Sequence, residues 1–187
     1  MVKLNEAAPD FKAMAFVDGD FKTVHLSDYK DKFVVLFFYP ADFTFVCPTE
    51  LEDMAEHYEK LKGMGVEVLS VSTDTHFVHA AWHNASPRIQ KITFPMVGDP
   101  THAISNAYNV LRDEEGVSDR ASFIIDPEGV IKGIEITDEP IGRNAKELVR
   151  KIEALMFARK NPGQACPAKW EVGGETLTPG VDMVGKL

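Results

Sequence analysis

Hydrophobic positions follow two patterns in the first half of the chain. Residues 33–39, FVVLFFY, and residues 66–72, VEVLSVS, are nearly continuous apolar runs, which are typical of strands buried on both faces of a sheet. The pattern predicts a helix between these strands, clear from Thr49 and ended by Gly63 and Gly65. Its apolar side chains recur at helical spacing, at Leu51, Met54, Tyr58 and Leu61.

Turn sequences and helix signals predict the elements in the rest of the chain. Two hairpins are predicted from turn residues between apolar stretches, Asp18-Gly19-Asp20 within residues 11–26 and Pro127-Glu128-Gly129 within residues 121–136. Residues 93–100 are expected to be extended and to lead into a turn. Further helices are predicted over residues 75–82, over residues 101–109 and from Asn144 onward. This order of elements indicates an α/β domain with a mixed central sheet and an N-terminal hairpin.

The pattern changes after Lys160. Residues 161–187 are rich in glycine and proline and show little periodicity, so they are expected to form an extended C-terminal arm that another surface orders. The sequence therefore predicts one domain over residues 1–160 and an arm over residues 161–187.

Charge and composition exclude several classes of function. The chain has 20 basic and 29 acidic residues, which give a net charge of −9. No cluster of lysines and arginines offsets this charge, so nucleic acid is not an expected partner. The N-terminus has no apolar signal region, and the longest apolar run is far shorter than the roughly 20 residues that cross a bilayer. We therefore expect a cytoplasmic protein without a membrane partner.

Two cysteines are too few for a disulfide scaffold or a zinc site built from cysteines. Cys47 follows the end of a predicted strand, at the sheet edge where open α/β sheets place their sites, and it lies within the first turn of the predicted helix. The positive end of a helix dipole favours the thiolate, which is the nucleophilic form of cysteine. Pro48 fits an early helical position, and Thr44 is a candidate N-cap or ligand contact. The alternative is that Cys47 is a small buried hydrophobic residue.

The second cysteine, Cys166, lies in the predicted arm and also precedes a proline. A cysteine in such an arm can approach Cys47 of a partner chain and trap a sulfenic acid as a disulfide. The alternative is an inert exposed thiol.

The sequence resembles the typical 2-Cys peroxiredoxins of the alkyl hydroperoxide reductase type. Pro40, Thr44 and Cys47 match their pattern P-x-x-x-T-x-x-C, and the segments FTFVCPTE and GQACPAKW are similar as well. The resemblance runs from about residue 9 to the C-terminus. It implies a thioredoxin-like fold and an antioxidant peroxidase, with Cys47 as the peroxidatic cysteine and Cys166 as the resolving cysteine of a partner chain.

The resemblance also assigns roles to five residues around the peroxidatic cysteine. It implies that Pro40 shields the thiolate from water and that Thr44 forms a hydrogen bond with the peroxide. Arg120 matches the arginine that stabilises the thiolate and orients the peroxide. Arg143 matches a second arginine, and Glu50 matches the carboxylate that positions it. A guanidinium suits such a role because it is always charged and offers several fixed donors.

Partners follow from the same resemblance. It implies a peroxide substrate, a dithiol reductant that is thioredoxin or a flavin-dependent disulfide reductase, and a homodimer that assembles into a ring of five dimers. The contacts between dimers are expected at Phe43, Phe45 and the segment 76–83.

No cofactor is expected, since no glycine-rich phosphate loop follows a strand. The histidines His76, His79 and His83 share one face of a short predicted helix. We expect a solvated or interface face there and no metal.

Two other classes of protein remain open from the sequence. A disulfide oxidoreductase also places a cysteine at a helix start, but it carries C-x-x-C, whereas Cys47 is followed by Pro48, Thr49 and Glu50. A holdase or scaffold ring without enzymatic activity is the other alternative.

Overall fold

A mixed sheet of seven strands organises the computed structural model, which describes residues 2–186. The strands are β1 (Lys12–Val17), β2 (Asp20–His25), β3 (Phe33–Phe38), β4 (Val66–Ser72), β5 (Met96–Gly98), β6 (Leu111–Arg112), β7 (Val117–Ser118), β8 (Arg120–Ile125) and β9 (Ile131–Thr137). Their order in the sheet is β2-β1-β5-β4-β3-β8-β9, and a separate short hairpin pairs β6 with β7. The helices are α1 (Cys47–Gly63), α2 (His76–Ala85), α3 (Ala103–Ala107) and α4 (Ala145–Lys160).

The two apolar runs lie at the centre of the sheet. Strand β3 runs parallel to β4 and antiparallel to β8, and all six of its residues are buried. Side chains of the central strands join the core cluster, which includes Leu36, Phe38, Leu69, Val71 and Phe123. The predicted α/β architecture with a mixed central sheet is confirmed.

Both predicted hairpins are present. In the first, Asp18 and Gly19 take φ values of 51° and 79°, the left-handed conformation that a tight hairpin turn between β1 and β2 requires. In the second, β8 and β9 pair antiparallel across the predicted turn.

Three elements differ from their predictions. Helix α2 continues to Ala85, beyond its predicted end at residue 82. Helix α3 is only five residues long, since His102 before it has a φ of 61° that breaks helical geometry. The hairpin of β6 and β7 was not predicted, because two-residue strands leave no periodic pattern.

The chain divides into two compact units between Ala145 and Lys146. In the second unit, Ala165 and Leu177 exchange backbone hydrogen bonds of 2.8 and 2.9 Å, and the ring of Trp170 packs on Phe157 with centroids 5.0 Å apart. The predicted domain boundary at residue 160, the last residue of α4, stays a prediction.

Within residues 2–186, no helix has the length and apolar character needed to span a bilayer.

Candidate active site

Cys47 is the first residue of α1 and is completely buried. The loop of residues 39–46 leads from the carboxyl end of the central strand β3 into this helix. The carbonyl of Val46 accepts hydrogen bonds from the backbone of Thr49 and Glu50 and from the Thr49 hydroxyl. The predicted position of the sulfur in the first helical turn is therefore confirmed.

Thr44 is not the N-cap of α1, because that position is occupied by Val46. The Thr44 hydroxyl instead donates a hydrogen bond of 2.8 Å to the carbonyl of Ala41, within the loop. This loop also contains Pro40, which is buried, and Phe43, whose φ of 55° is unusual for an aromatic residue.

Arg120 brings a cation to the sulfur. The register of β8 against β3 pairs Ala121 with Phe38, so Arg120 lies beside the end of the strand that leads to the Cys47 loop. Its Nη1 donates to the Cys47 Sγ at 3.3 Å and to the Glu50 Oε2 at 2.7 Å. Its Nε donates to the carbonyl of Glu139 at 2.6 Å.

Glu50 joins the two arginines that the resemblance singled out. Its Oε1 accepts hydrogen bonds of 2.8 Å from both the backbone N–H and the Nε of Arg143. The Arg143 guanidinium lies over the Phe37 ring, 3.6 Å from its centroid, and Nη1 donates to the Ala121 carbonyl at 2.7 Å. Arg143 is therefore part of a buried network and not a surface ion pair.

This network gives the sulfur a positive environment. Two guanidiniums share one carboxylate, so one positive charge is left without a carboxylate partner in the network. Burial alone would lower the pKa of Arg120, but the Cys47 sulfur and the Glu50 carboxylate raise it above its usual range. Burial lowers the pKa of Arg143, and Glu50 opposes this effect. The arrangement places a guanidinium in direct contact with the sulfur.

A second buried network was missed by the sequence analysis. The Asp42 carboxylate accepts a hydrogen bond of 2.7 Å from the Tyr39 hydroxyl and lies 2.7 Å from Nδ1 of His79. Burial raises the pKa of Asp42, and the hydrogen bond with His79 opposes it. The expectation of a solvated or interface face is wrong for His79, which is completely buried. No local signal could reveal this pair, because 37 positions separate the two residues.

Cys166 belongs to the second compact unit and is partly buried. Its thiol lies 3.8 Å from the carbonyl of Ala154 in α4, and both cysteines are free thiols. Across residues 2–186, no group of three or more histidine, cysteine or acidic side chains is placed to hold a metal ion.

Comparison with known proteins identifies the family. The model of the AhpC/TSA family matches residues 4–134. Alkyl hydroperoxide reductase C of Bacillus subtilis is 57% identical over 177 residues, which are 95% of each chain. The crystal structure of Enterococcus faecalis AhpC is 48% identical, with a TM-score of 0.86 over 89% of this chain and 100% of that chain.

A more distant structure agrees with this assignment. Reduced 2-Cys peroxiredoxin of Plasmodium vivax is 36% identical, with a TM-score of 0.91 over 96% of this chain and 94% of that chain. The resemblance found in the sequence is confirmed, and the chain belongs to the AhpC/TSA family.

Proposed function

We propose that this chain is a thiol-dependent peroxidase that reduces hydrogen peroxide and organic hydroperoxides through Cys47. The observation that carries the proposal is the 3.3 Å contact between the Arg120 guanidinium and the sulfur of a buried cysteine at a helix N-terminus. A buried thiol that is only a core residue does not need a buried arginine as its neighbour, because desolvating the guanidinium costs free energy.

The first step is nucleophilic attack by the Cys47 thiolate on the terminal peroxide oxygen. The S–O bond forms as the O–O bond breaks, which leaves Cys47 as a sulfenic acid, and the leaving oxygen takes up the proton that the thiol released to become water or an alcohol. Within residues 2–186, no group accepts a hydrogen bond from the Arg120 Nη2, so this nitrogen can donate to the peroxide. A donor aimed at the oxygen that gains charge stabilises the transition state. Thr44 and Pro40 are proposed to complete the pocket.

The second step resolves the sulfenic acid. Cys166 of a partner chain attacks the oxidised sulfur, a disulfide forms and water leaves. Disulfide geometry requires the two Cα atoms within about 7 Å. The Cys47 sulfur is completely buried, so the first turn of α1 must unwind before the bond can form. An external dithiol, thioredoxin or a flavin-dependent disulfide reductase, then restores both thiols.

Exposed apolar groups support the proposed assembly. Strand β9 is an edge of the sheet and exposes Ile134 and Ile136, so it is the proposed dimer contact. Phe43, Phe45 and Phe77 are exposed as well and are the proposed contacts between dimers in a decameric ring. A cytoplasmic location fits the need for a reducing dithiol pool.

The two alternatives are not favoured. In a C-x-x-C oxidoreductase the second cysteine would stand at position 50, where Glu50 is bound by two arginines. A scaffold ring has no use for a cation at the sulfur.

Non-reducing gel analysis after one equivalent of peroxide tests the mechanism. The wild-type chain is expected to form a dimer linked by Cys47 and Cys166. Cys47→Ser should consume no peroxide, whereas Cys166→Ser should still form the sulfenic acid and lose turnover with the dithiol donor. Peroxide consumption by Cys47→Ser at the wild-type rate would exclude the proposed function.

A further inference from the structure

The orientation of Arg120 depends on a surface turn. Its Nη1 contacts Cys47 and Glu50, while its Nε is bound by the carbonyl of Glu139 at 2.6 Å. Because a guanidinium is planar and rigid, contacts on two of its nitrogens fix the plane in which the remaining donor points. The register between β8 and β9 explains the contact, since Arg120 pairs with Thr137 and the turn follows directly.

Glu139 itself is held by few contacts. Its backbone N–H donates to the neighbouring Asp138 side chain at 2.9 Å, and its own side chain is more than half exposed. The tertiary contact of this side chain is with Arg112, whose Nη1 donates to the Glu139 Oε2 at 2.8 Å. Arg112 lies in β6, so this bond joins the small hairpin to the turn that supports Arg120.

Arg112 also forms ion pairs with a group of acidic side chains. Its guanidinium lies 3.0 Å from Glu115 and 3.5 Å from Asp119, in addition to Glu139. Its Nε and Nη2 are buried and have no hydrogen-bond acceptor among the described residues. Burying these two nitrogen donors without acceptors costs free energy, so Arg112 differs from an arginine that is free on the surface.

We propose that Arg112 is a positioning residue for the peroxidase reaction. It holds Glu139 so that the Glu139 carbonyl keeps Arg120 turned towards Cys47. Replacing Arg112 changes none of Cys47, Glu50 and Arg120 themselves. It makes the turn at Glu139 more mobile, so the guanidinium of Arg120 is held less firmly towards Cys47. The inference rests on the proposed function of Cys47.

The test compares second-order rate constants for hydrogen peroxide in a Cys166→Ser background, where only the first step occurs. We expect Arg112→Ala and Glu139→Ala each to lower the rate about three- to tenfold, a modest loss because the ion pair is partly exposed. The double variant should be no slower than either single variant, since both break one contact. Glu115→Ala is the matched control, because Glu115 contacts Arg112 at 3.0 Å but does not touch Arg120, and it should react at the wild-type rate.

If Arg112 acts by positioning Arg120, the rate loss caused by Arg112→Ala should depend on the presence of Arg120, whereas the loss from a merely structural role would not. In an Arg120→Met background, Arg112→Ala should cause no further loss of rate, and the thermal unfolding midpoint of Arg112→Ala should stay near wild type. The inference is overturned if Arg112→Ala stays within twofold of wild type, if its loss is additive with Glu139→Ala, or if it persists without Arg120. Absence of peroxide reaction in the wild-type chain would instead refute the proposed function.

Discussion

Arg120 is the residue whose replacement tests the chemistry most directly. Its Nη1 lies 3.3 Å from the Cys47 sulfur. At an effective dielectric constant of 20, a unit charge at this distance stabilises a thiolate by about 5 kcal/mol. The Glu50 oxygen bound to the same nitrogen at 2.7 Å lies within about 6 Å of the sulfur and opposes this by about 3 kcal/mol.

Arg120→Met removes the attraction and keeps the repulsion, because Arg143 still holds Glu50. Losing about 5 kcal/mol of stabilisation of the charge on the reacting sulfur corresponds to more than three orders of magnitude in rate, and solvent entering the site reduces the effect. We expect at least about a hundredfold loss in the rate of Cys47 alkylation by iodoacetamide at pH 6 and in the rate with hydrogen peroxide.

Arg120→Lys separates charge from orientation. An ammonium keeps the Coulomb attraction but not the rigid fork that reaches Glu139 and Cys47 together. Alkylation at pH 6 should therefore stay near wild type, while the peroxide rate falls about tenfold or more. Both assays use the Cys166→Ser background, with circular dichroism to confirm folding. If Arg120→Met alkylates as fast as the wild type at pH 6, the guanidinium does not activate the sulfur and the electrostatic argument is wrong.

Two further predictions concern stability and local unfolding. Glu50→Gln leaves two buried guanidiniums without the carboxylate they share and should lower the free energy of unfolding in urea by about 3–5 kcal/mol. Glu52→Gln is the control, because it loses only partly exposed ion pairs and should change the free energy of unfolding little. Equal losses in the two variants would contradict the argument. Hydrogen exchange should be faster in residues 43–50 of the disulfide form than of the reduced form, with Leu61 in the same helix protected in both. Equal protection of residues 43–50 in the two forms would show that the first turn does not unwind.

Local sequence signals accounted for most of the elements. Short-range patterns, namely continuous apolar runs, helical spacing and turn residues, predict the buried strands, α1 and both hairpins. The short hairpin of β6 and β7 is the exception, since its paired strands are too short to carry a pattern. Sequence analysis therefore had no reason to single out Arg112.

The site was predicted by resemblance more than by local pattern. Cys47 at a helix start could be found from its neighbours, but Arg120 and Arg143 lie 70 and 93 positions from Glu50, the group that joins them. Nothing in the spacing of these residues indicates a contact. The buried pair of Asp42 and His79 shows the same limitation at shorter range, because it was not found at all.

The sequence by itself determined the elements of this protein and placed a cysteine at the first turn of a helix. Only the tertiary structure decided that the cysteine has a cation beside it. The antiparallel register of β8 against β3, which pairs Ala121 with Phe38, carries Arg120 to the end of the strand that leads into the Cys47 loop. Helical spacing and apolar runs depend on residues a few positions apart, whereas strand register depends on the packing of the whole sheet. The charge at the sulfur is therefore a property of the fold.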